Sequence, residues 1–278
     1  MCPRRRTLDG RDPTEKKAIS MRESLEQKRK RVRKIIAKLK RTHPDARLML
    51  KFSTPLELLV ALILSARTRD EVVNAITPEL FRRYRTAAGW ANEKPEVLYK
   101  RLRPINFFRT KARAIQRACR VLVEKFGGQV PDRLEDLLTL PGVGRKTANA
   151  LLGNAFGQPA IAVDTHVARV SQRLGLTDHT DPEDIETDLV EIVPRKEQVK
   201  FCHRLQFHGR RICLARVPDC PRGSINDLCF YPKKTKRARQ RRCVSHRTAW
   251  NTARHRLTPG VIPWHPDIAT PLEASSIL

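Results

Sequence analysis

Lys146 and Asp164 are the two side chains whose surroundings suit covalent chemistry. Lys146 follows the glycine turn of Leu140-Pro141-Gly142-Val143-Gly144-Arg145 and opens an apolar helical run, Ala148, Ala150, Leu151, Leu152. In the first turn of a helix the positive end of the dipole disfavours another positive charge, so an ammonium there is expected to lose its proton more readily than on the surface. A neutral lysine amine is a nucleophile toward carbonyl-like carbon and forms Schiff bases. Asp164 follows the extended run Pro159-Ala160-Ile161-Ala162-Val163 and stands where an N-cap residue starts the helix bearing Val167, Val170 and Leu174.

The elements that position this pair are a helix, a hairpin and a second helix. Leu134, Leu137, Leu138 and Leu140 form an apolar face that breaks at Pro141. Gly142 and Gly144 supply the positive φ angles a short hairpin takes. Free backbone N–H groups over Gly142, Val143, Gly144 and Arg145 would seat one phosphate at the start of the second helix.

Leu140 to Ala148, followed by Ala162-Val163-Asp164-Thr165-His166, resembles the helix-hairpin-helix and Gly/Pro-Asp loop of the DNA base-excision glycosylases, most of all endonuclease III. The likeness runs from about Val32 to Pro232 of the 278 residues and takes in Leu64-Ser65-Ala66 with Asp70, Phe107 to Ala112, and the cysteine stretch from His208 to Tyr231. It implies that Lys146 attacks the sugar C1′ while Asp164 assists. The activity implied is that of a bifunctional glycosylase and abasic-site lyase removing oxidised pyrimidines. A monofunctional glycosylase of the mismatch-adenine type, or a non-catalytic DNA-binding protein, is the alternative.

Two further stretches carry DNA-binding expectations. In Ser65-Ala66-Arg67-Thr68-Arg69-Asp70, Arg67 stands where endonuclease III has a glutamine that fills the hole left by the extruded base. Arginine can read a guanine edge in that role or grip a phosphate. In Asn106-Phe107-Phe108-Arg109-Thr110-Lys111, one phenylalanine is expected as the wedge that enters the stack, and Phe107 is favoured. Asn106 replaces the family's glycine, tolerable because asparagine accepts left-handed backbone. Arg109 and Lys111 are expected phosphate contacts.

Cys213, Cys220 and Cys229 match three positions of the family's four-cysteine iron–sulfur signature, with Gly223 at the remaining one. The resemblance implies a [4Fe-4S] cluster. Three thiolates with another ligand from Cys202, Cys243, His208 or outside, and outright loss of the cluster, both stay open. Arg210, Arg211, Arg216 and Arg222 make the segment basic in either case.

Composition sets the partner class. Fifty-six Lys and Arg against 29 Asp and Glu give a net charge of +27, which fits a polyanion. The excess is concentrated at the ends: residues 1–47 carry +11 and 231–278 carry +8, against +8 for everything between. No apolar run reaches the length of a membrane span, and no apolar stretch follows the first arginines as a secretory signal requires. Seven cysteines bunched toward the C-terminus suit a reducing compartment and metal ligation.

The expected fold is all-α. A helical-barrel domain of six helices over 48–158 carries the helix-hairpin-helix. A second helical domain joins 31–47 to 159–232 and bears the cysteine loop. Residues 1–30 and 233–278 read as basic arms without fixed structure. Thr54-Pro55-Leu56-Glu57 starts a helix with a capping box. Helices are read near 71–84 and 95–102, and over 176–193 and 196–205. The partner is double-stranded DNA bearing a damaged base or abasic site, bound by a monomer. The resemblance implies a DNA-associated protein of the bacterial cytoplasm or, in a eukaryote, of nucleus or mitochondrion.

Overall fold

A computed structural model describes residues 23–236. Among these, the chain forms helices and turns and no strand. In order the helices are α1 (Leu25–Thr42), α2 (Pro55–Ser65), α3 (Asp70–Arg83), α4 (Ala87–Asn92), α5 (Pro95–Arg101), α6 (Phe108–Phe126), α7 (Leu134–Leu138), α8 (Arg145–Ala155), α9 (Thr165–Leu174), α10 (Pro182–Ile192) and α11 (Gln198–Arg211).

Two hydrophobic cores organise them. Helices α2 to α8 share the first, and α2 runs through its middle with Leu58, Leu59, Val60, Ala61, Ile63 and Leu64 all buried. A helix apolar almost all round has no solvent face to offer, so it takes the centre. Thr54 caps it by accepting from Glu57 N–H at 3.2 Å, while Glu57 reaches one residue past the cap, to Ser53 N–H at 2.6 Å, in place of a closed capping box. The second core joins α1 to α9, α10 and α11 through Val32, Ile35, Leu39, Val167, Val170, Leu189, Phe201 and Leu205. Helix α8 packs on α2 in the first core and on α11 in the second. Gly153 makes the latter approach feasible, since a Cβ there would lie 2.6 Å from Val199 Cγ2.

Several boundaries differ from the sequence reading. Helix α1 begins at Leu25, inside the stretch read as an arm, because Ser24 and Gln27 close a capping box and Arg31 pairs with Glu23 at 2.7 Å. The helix read from Leu176 starts only at Pro182, where Asp181 supplies the cap. Gly175 at φ +66° ends α9 and turns the chain out before it. Residues 233–236 fold back onto the cysteine loop, with Lys234 Nζ donating to Asn226 O at 2.6 Å and Thr235 Oγ1 to Pro218 O at 2.7 Å. The remaining arm readings, over 1–22 and 237–278, lie outside the described residues, as does Cys243.

Candidate active site and DNA interface

Asp164 is the N-cap of α9: its Oδ1 accepts from His166 N–H at 2.9 Å and Val167 N–H at 2.7 Å. The cap fixes the carboxylate's position, and its second oxygen makes no bond within the described protein. Lys146 is the second residue of α8 and is exposed. Both side chains line one cleft between the two cores, about 700 Å³ in volume, together with Ser65, Asp70, Asn149, His203, Gln206 and Arg210.

Charges of both signs meet in that cleft. Asp70, at the first turn of α3, has its carboxyl pKa raised chiefly by burial, against the opposing pull of Arg210 and Lys146. Arg210 approaches it at 3.9 Å. His166 is shifted the other way: burial lowers its pKa most, Asp164 raises it, and the cations of Arg169, Arg210 and Lys146 lower it further. The Asp164 carboxylate and the Lys146 side chain thus share the cleft, and the His166 imidazole beside it feels the charge of both.

The hairpin that delivers Lys146 is built more tightly than its sequence suggests. Gly142 takes φ +84°, and a Cβ on it would stand 2.9 Å from Ala114 Cβ on α6. Gly144, expected to share the positive φ, is instead an extended N-cap at φ −96° with open space where a side chain would go. That exposure leaves the first N–H groups of α8 without any side-chain cap and free for an anion. Gly142→Ala adds left-handed strain to a clash with α6, and thermal unfolding is expected to show a loss of about 1–3 kcal/mol. Gly144→Ala is expected to change stability by less than half as much.

Three expected DNA contacts are corrected. Lys111 is buried, with Nζ donating to Leu64 O at 2.8 Å, Ala66 O at 2.5 Å and Thr68 Oγ1 at 2.9 Å. Burial lowers its pKa to about 8. It ties the loop after α2 onto α6 and cannot reach a phosphate. Arg145 is turned away from the hairpin's mouth and grips Glu186 of α10 through Nε at 2.9 Å and Nη2 at 3.2 Å, so only its backbone is free to serve DNA. Val143 is buried and its N–H donates to Leu140 O at 3.1 Å, so neither its side chain nor the expected backbone donor is free for a phosphate.

Arg67 and Phe107 come together at the edge of the first core. They are the two non-glycine residues of positive φ among those described, at +55° and +58°. Such geometry in bulky residues costs about 1–3 kcal/mol each and persists only when the surroundings enforce it. The enforcement is visible: Asn106 Nδ2 donates to Arg67 O at 2.7 Å, and Lys111 holds the residues either side of Arg67. The left-handed residue is therefore Phe107, not Asn106 as the sequence suggested. Phe107 is 62% exposed, the guanidinium of Arg67 lies 5.9 Å from its ring, and Arg109 lies exposed over Phe108 at 5.6 Å. An apolar ring held out in water beside a cation is a fitting shape for entering a base stack.

The cysteine loop forms a separate cavity of about 370 Å³ lined by Cys213, Cys220, Cys229, Gly223 and His208. A Cβ at Gly223 would lie 3.3 Å from Cys220 O and 3.6 Å from His208 Cε1, so the position that lacks a thiol faces this space. Cys213 Sγ accepts from Arg173 Nη1 at 3.3 Å, and Cys229 Sγ donates to Arg173 O at 3.3 Å. His208 is engaged through Nδ1 with His43 Nε2 at 3.4 Å, while Cys202 is a core residue of the second cluster. Among the described residues, no three His, Cys, Asp or Glu side chains are placed to hold a metal ion. No fourth thiol among the described residues joins Cys213, Cys220 and Cys229 around this space, so they do not by themselves supply the four thiolates of a cubane cluster.

Comparison with known proteins agrees with this architecture. Residues 60–195 match the model of the HhH-GPD superfamily base excision DNA repair proteins. The endonuclease III of Synechocystis is 46% identical over 211 residues, 76% of this chain and 96% of the relative. That of Escherichia coli K12 is 40% identical over 200 residues, 72% and 95% respectively. A solved structure of a trapped endonuclease III–DNA covalent intermediate in an estranged-adenine complex superposes with a TM-score of 0.68 at 42% identity, covering 72% of this chain and 95% of that one. A thermostable thymine-DNA glycosylase superposes at 0.64 with 26% identity, covering 74% and 97%.

A helical fold whose hairpin and capping aspartate open onto one charged cleft is thus of the HhH-GPD class of base excision repair glycosylases. Within that class, the chain belongs to the endonuclease III family. No described helix is long and apolar enough to cross a membrane.

Neither Asn149 nor His203 was legible as a cleft residue from sequence. Both sit on helices whose apolar spacing hides them, and only the α8–α11 contact brings them to one wall.

Proposed function

We propose that this protein is a bifunctional DNA glycosylase and abasic-site lyase acting on oxidised pyrimidines. The observation that carries the proposal is the convergence of Lys146 and Asp164 on one cleft. Phe107 enters the stack as a damaged base leaves it, an extrusion that costs less for a poorly stacked lesion. The unprotonated Lys146 amine attacks C1′, forming a C–N bond as the C1′–base bond breaks, and the base leaves with its electron pair and a proton. Asp164 stabilises positive charge on the sugar or takes a proton from the lysine. The C1′–O4′ bond then opens, its oxygen taking a proton, to give the Schiff base. This acidifies the C2′ hydrogen, whose removal breaks the C3′–O bond, and the phosphate leaves as the strand is cleaved on the 3′ side.

The name of one structural relative speaks of a covalent DNA intermediate, and the lysine at the hairpin of this chain supports the same route. A monofunctional scaffold would have no use for an amine there. The test is borohydride reduction during reaction with a duplex containing an abasic site, then with one containing an oxidised pyrimidine. A stable protein–DNA adduct on both is the expected result. Base release without any adduct would mean a monofunctional glycosylase, and binding without base release or adduct a non-catalytic protein.

We further propose that the cysteine lobe folds without an iron–sulfur cluster. Its carbonyls are already satisfied by side chains: Arg173 donates to Leu214 O and Ala215 O at 2.7 Å each, and Arg31 to Leu174 O at 2.7 Å and Leu228 O at 3.2 Å. Freshly purified protein is expected to be colourless. A visible iron–sulfur absorption band with matching iron content would overturn this.

A further inference from the structure

The link between α1 and α2 brings to the cleft an apolar side chain that the proposed chemistry does not use. Leu48 and Leu50 pack into the first core, while Arg47, Met49 and Lys51 are exposed. Burial that alternates with a period of two marks an extended run, whose successive side chains point to opposite sides. Met49 is therefore turned away from the core, and it lines the cleft shared by Lys146 and Asp164. Asn74 of α3 clamps the backbone of this run: its Nδ2 donates to Met49 O at 2.8 Å and its Oδ1 accepts from Lys51 N–H at 2.9 Å. The backbone that presents Met49 is thus fixed before any ligand arrives, while its side chain stays free to adapt.

Met49 is 40% exposed. Of the large apolar side chains exposed among the described residues, it is the one that lines this cleft. Apolar surface left open to water inside a concave site suits the apolar face of a ligand. A base drawn out of the duplex loses the stacking of its neighbours, and no Phe, Tyr or Trp among the described residues lines the cleft to replace it. Methionine can replace it, because a polarizable thioether makes favourable contact with rings and three rotatable bonds let it follow an irregular shape. Oxidation across the C=C bond of a pyrimidine turns a flat ring into a puckered one, which a rigid aromatic platform fits poorly. We infer that Met49 is the face against which the extruded base rests, and that its deformable side chain lets one pocket take flat and puckered pyrimidines alike. The inference rests on the catalytic reading above and gives it the element that sets the breadth of substrate. Met49 carries no group that exchanges a proton, so its part ends once the base has gone.

That division supplies the test. Met49→Ala and Met49→Phe are compared with the unsubstituted protein in single-turnover assays on three duplexes, which carry hydroxycytosine (flat), thymine glycol (puckered) or a preformed abasic site. Met49→Ala is expected to slow release of both bases by about 3- to 10-fold. Met49→Phe is expected to keep release of the flat base within about twofold and to slow release of the puckered one by about tenfold. Strand cleavage and borohydride adduct at the abasic site are expected to stay within about twofold in both variants, since neither step involves a base. Unchanged base release in Met49→Ala overturns the inference. So does an equal fall on the abasic duplex, which would mark a merely structural role. A Met49→Phe protein that treats the two bases alike overturns the assignment of breadth to this side chain. The adduct formed by the unsubstituted protein on the abasic duplex tests the catalytic reading by itself. Its absence refutes that reading and this inference with it, whereas an adduct together with unchanged base release in Met49→Ala refutes this inference alone.

Discussion

Replacing Lys146 with alanine is expected to abolish the borohydride adduct and lower strand cleavage by on the order of 10³-fold or more, while affinity for an abasic duplex falls by less than about tenfold. The expectation follows from placement. Lys146 is exposed at the start of α8 and makes no hydrogen bond or ion pair among the described residues, so its removal is expected to leave the fold intact. The hairpin's backbone donors remain. Asp164→Asn is the companion experiment, because asparagine caps a helix about as well as aspartate and keeps α9 in place. Removing the charge alone is expected to cost 10²- to 10⁴-fold in base release with little change in melting temperature, a range typical of a lost acid–base group. An Asp164→Asn protein of full activity would reduce the carboxylate to a helix cap.

Acid is expected to unfold this protein through His208. Its pKa is lowered from 6.5 to about 4, first by burial and then by the neighbouring His43, whose own pKa is lowered mainly by burial. The unfolded chain therefore takes up a proton near pH 6.5 that the folded chain refuses until about pH 4. Stability is full above 6.5 and declines as pH falls through that interval. At about 1.4 kcal/mol per unit, His208 alone accounts for a loss of about 3 kcal/mol. Urea melts at pH 7, 5.5 and 4.5 measure it, and His208→Gln is expected to flatten much of the slope. An unchanged slope in that variant would place the acid sensitivity elsewhere.

What the sequence disclosed and what it withheld divide along physical lines. The hairpin, Asp164 as a cap and the buried course of α2 were legible because each depends on local chemistry: a glycine turn, a side chain that caps its own helix, an unbroken apolar run. Lys111 misled because a cation beside a DNA-binding motif looks the same whether it faces phosphate or a carbonyl 45 residues away. Nothing near Lys111 in the chain announces Leu64, Ala66 and Thr68. The left-handed backbone fell on Phe107 and not on the more tolerant Asn106, since Asn106 spends its amide on Arg67 O. Tertiary partners, not local propensity, chose the strained residue.

Lys111 also bears on the proposed entry of Phe107 into a base stack. Its three donated bonds lash together the segment holding Arg67 and the helix that Phe107 introduces, so the two side chains expected to enter the stack ride on a single mount. The ordering entropy of that mount is borne when the chain folds, and none is left to subtract from affinity at the moment of docking. On the proposed route, a search along undamaged DNA would then test the stacking of the bases rather than the readiness of the loop.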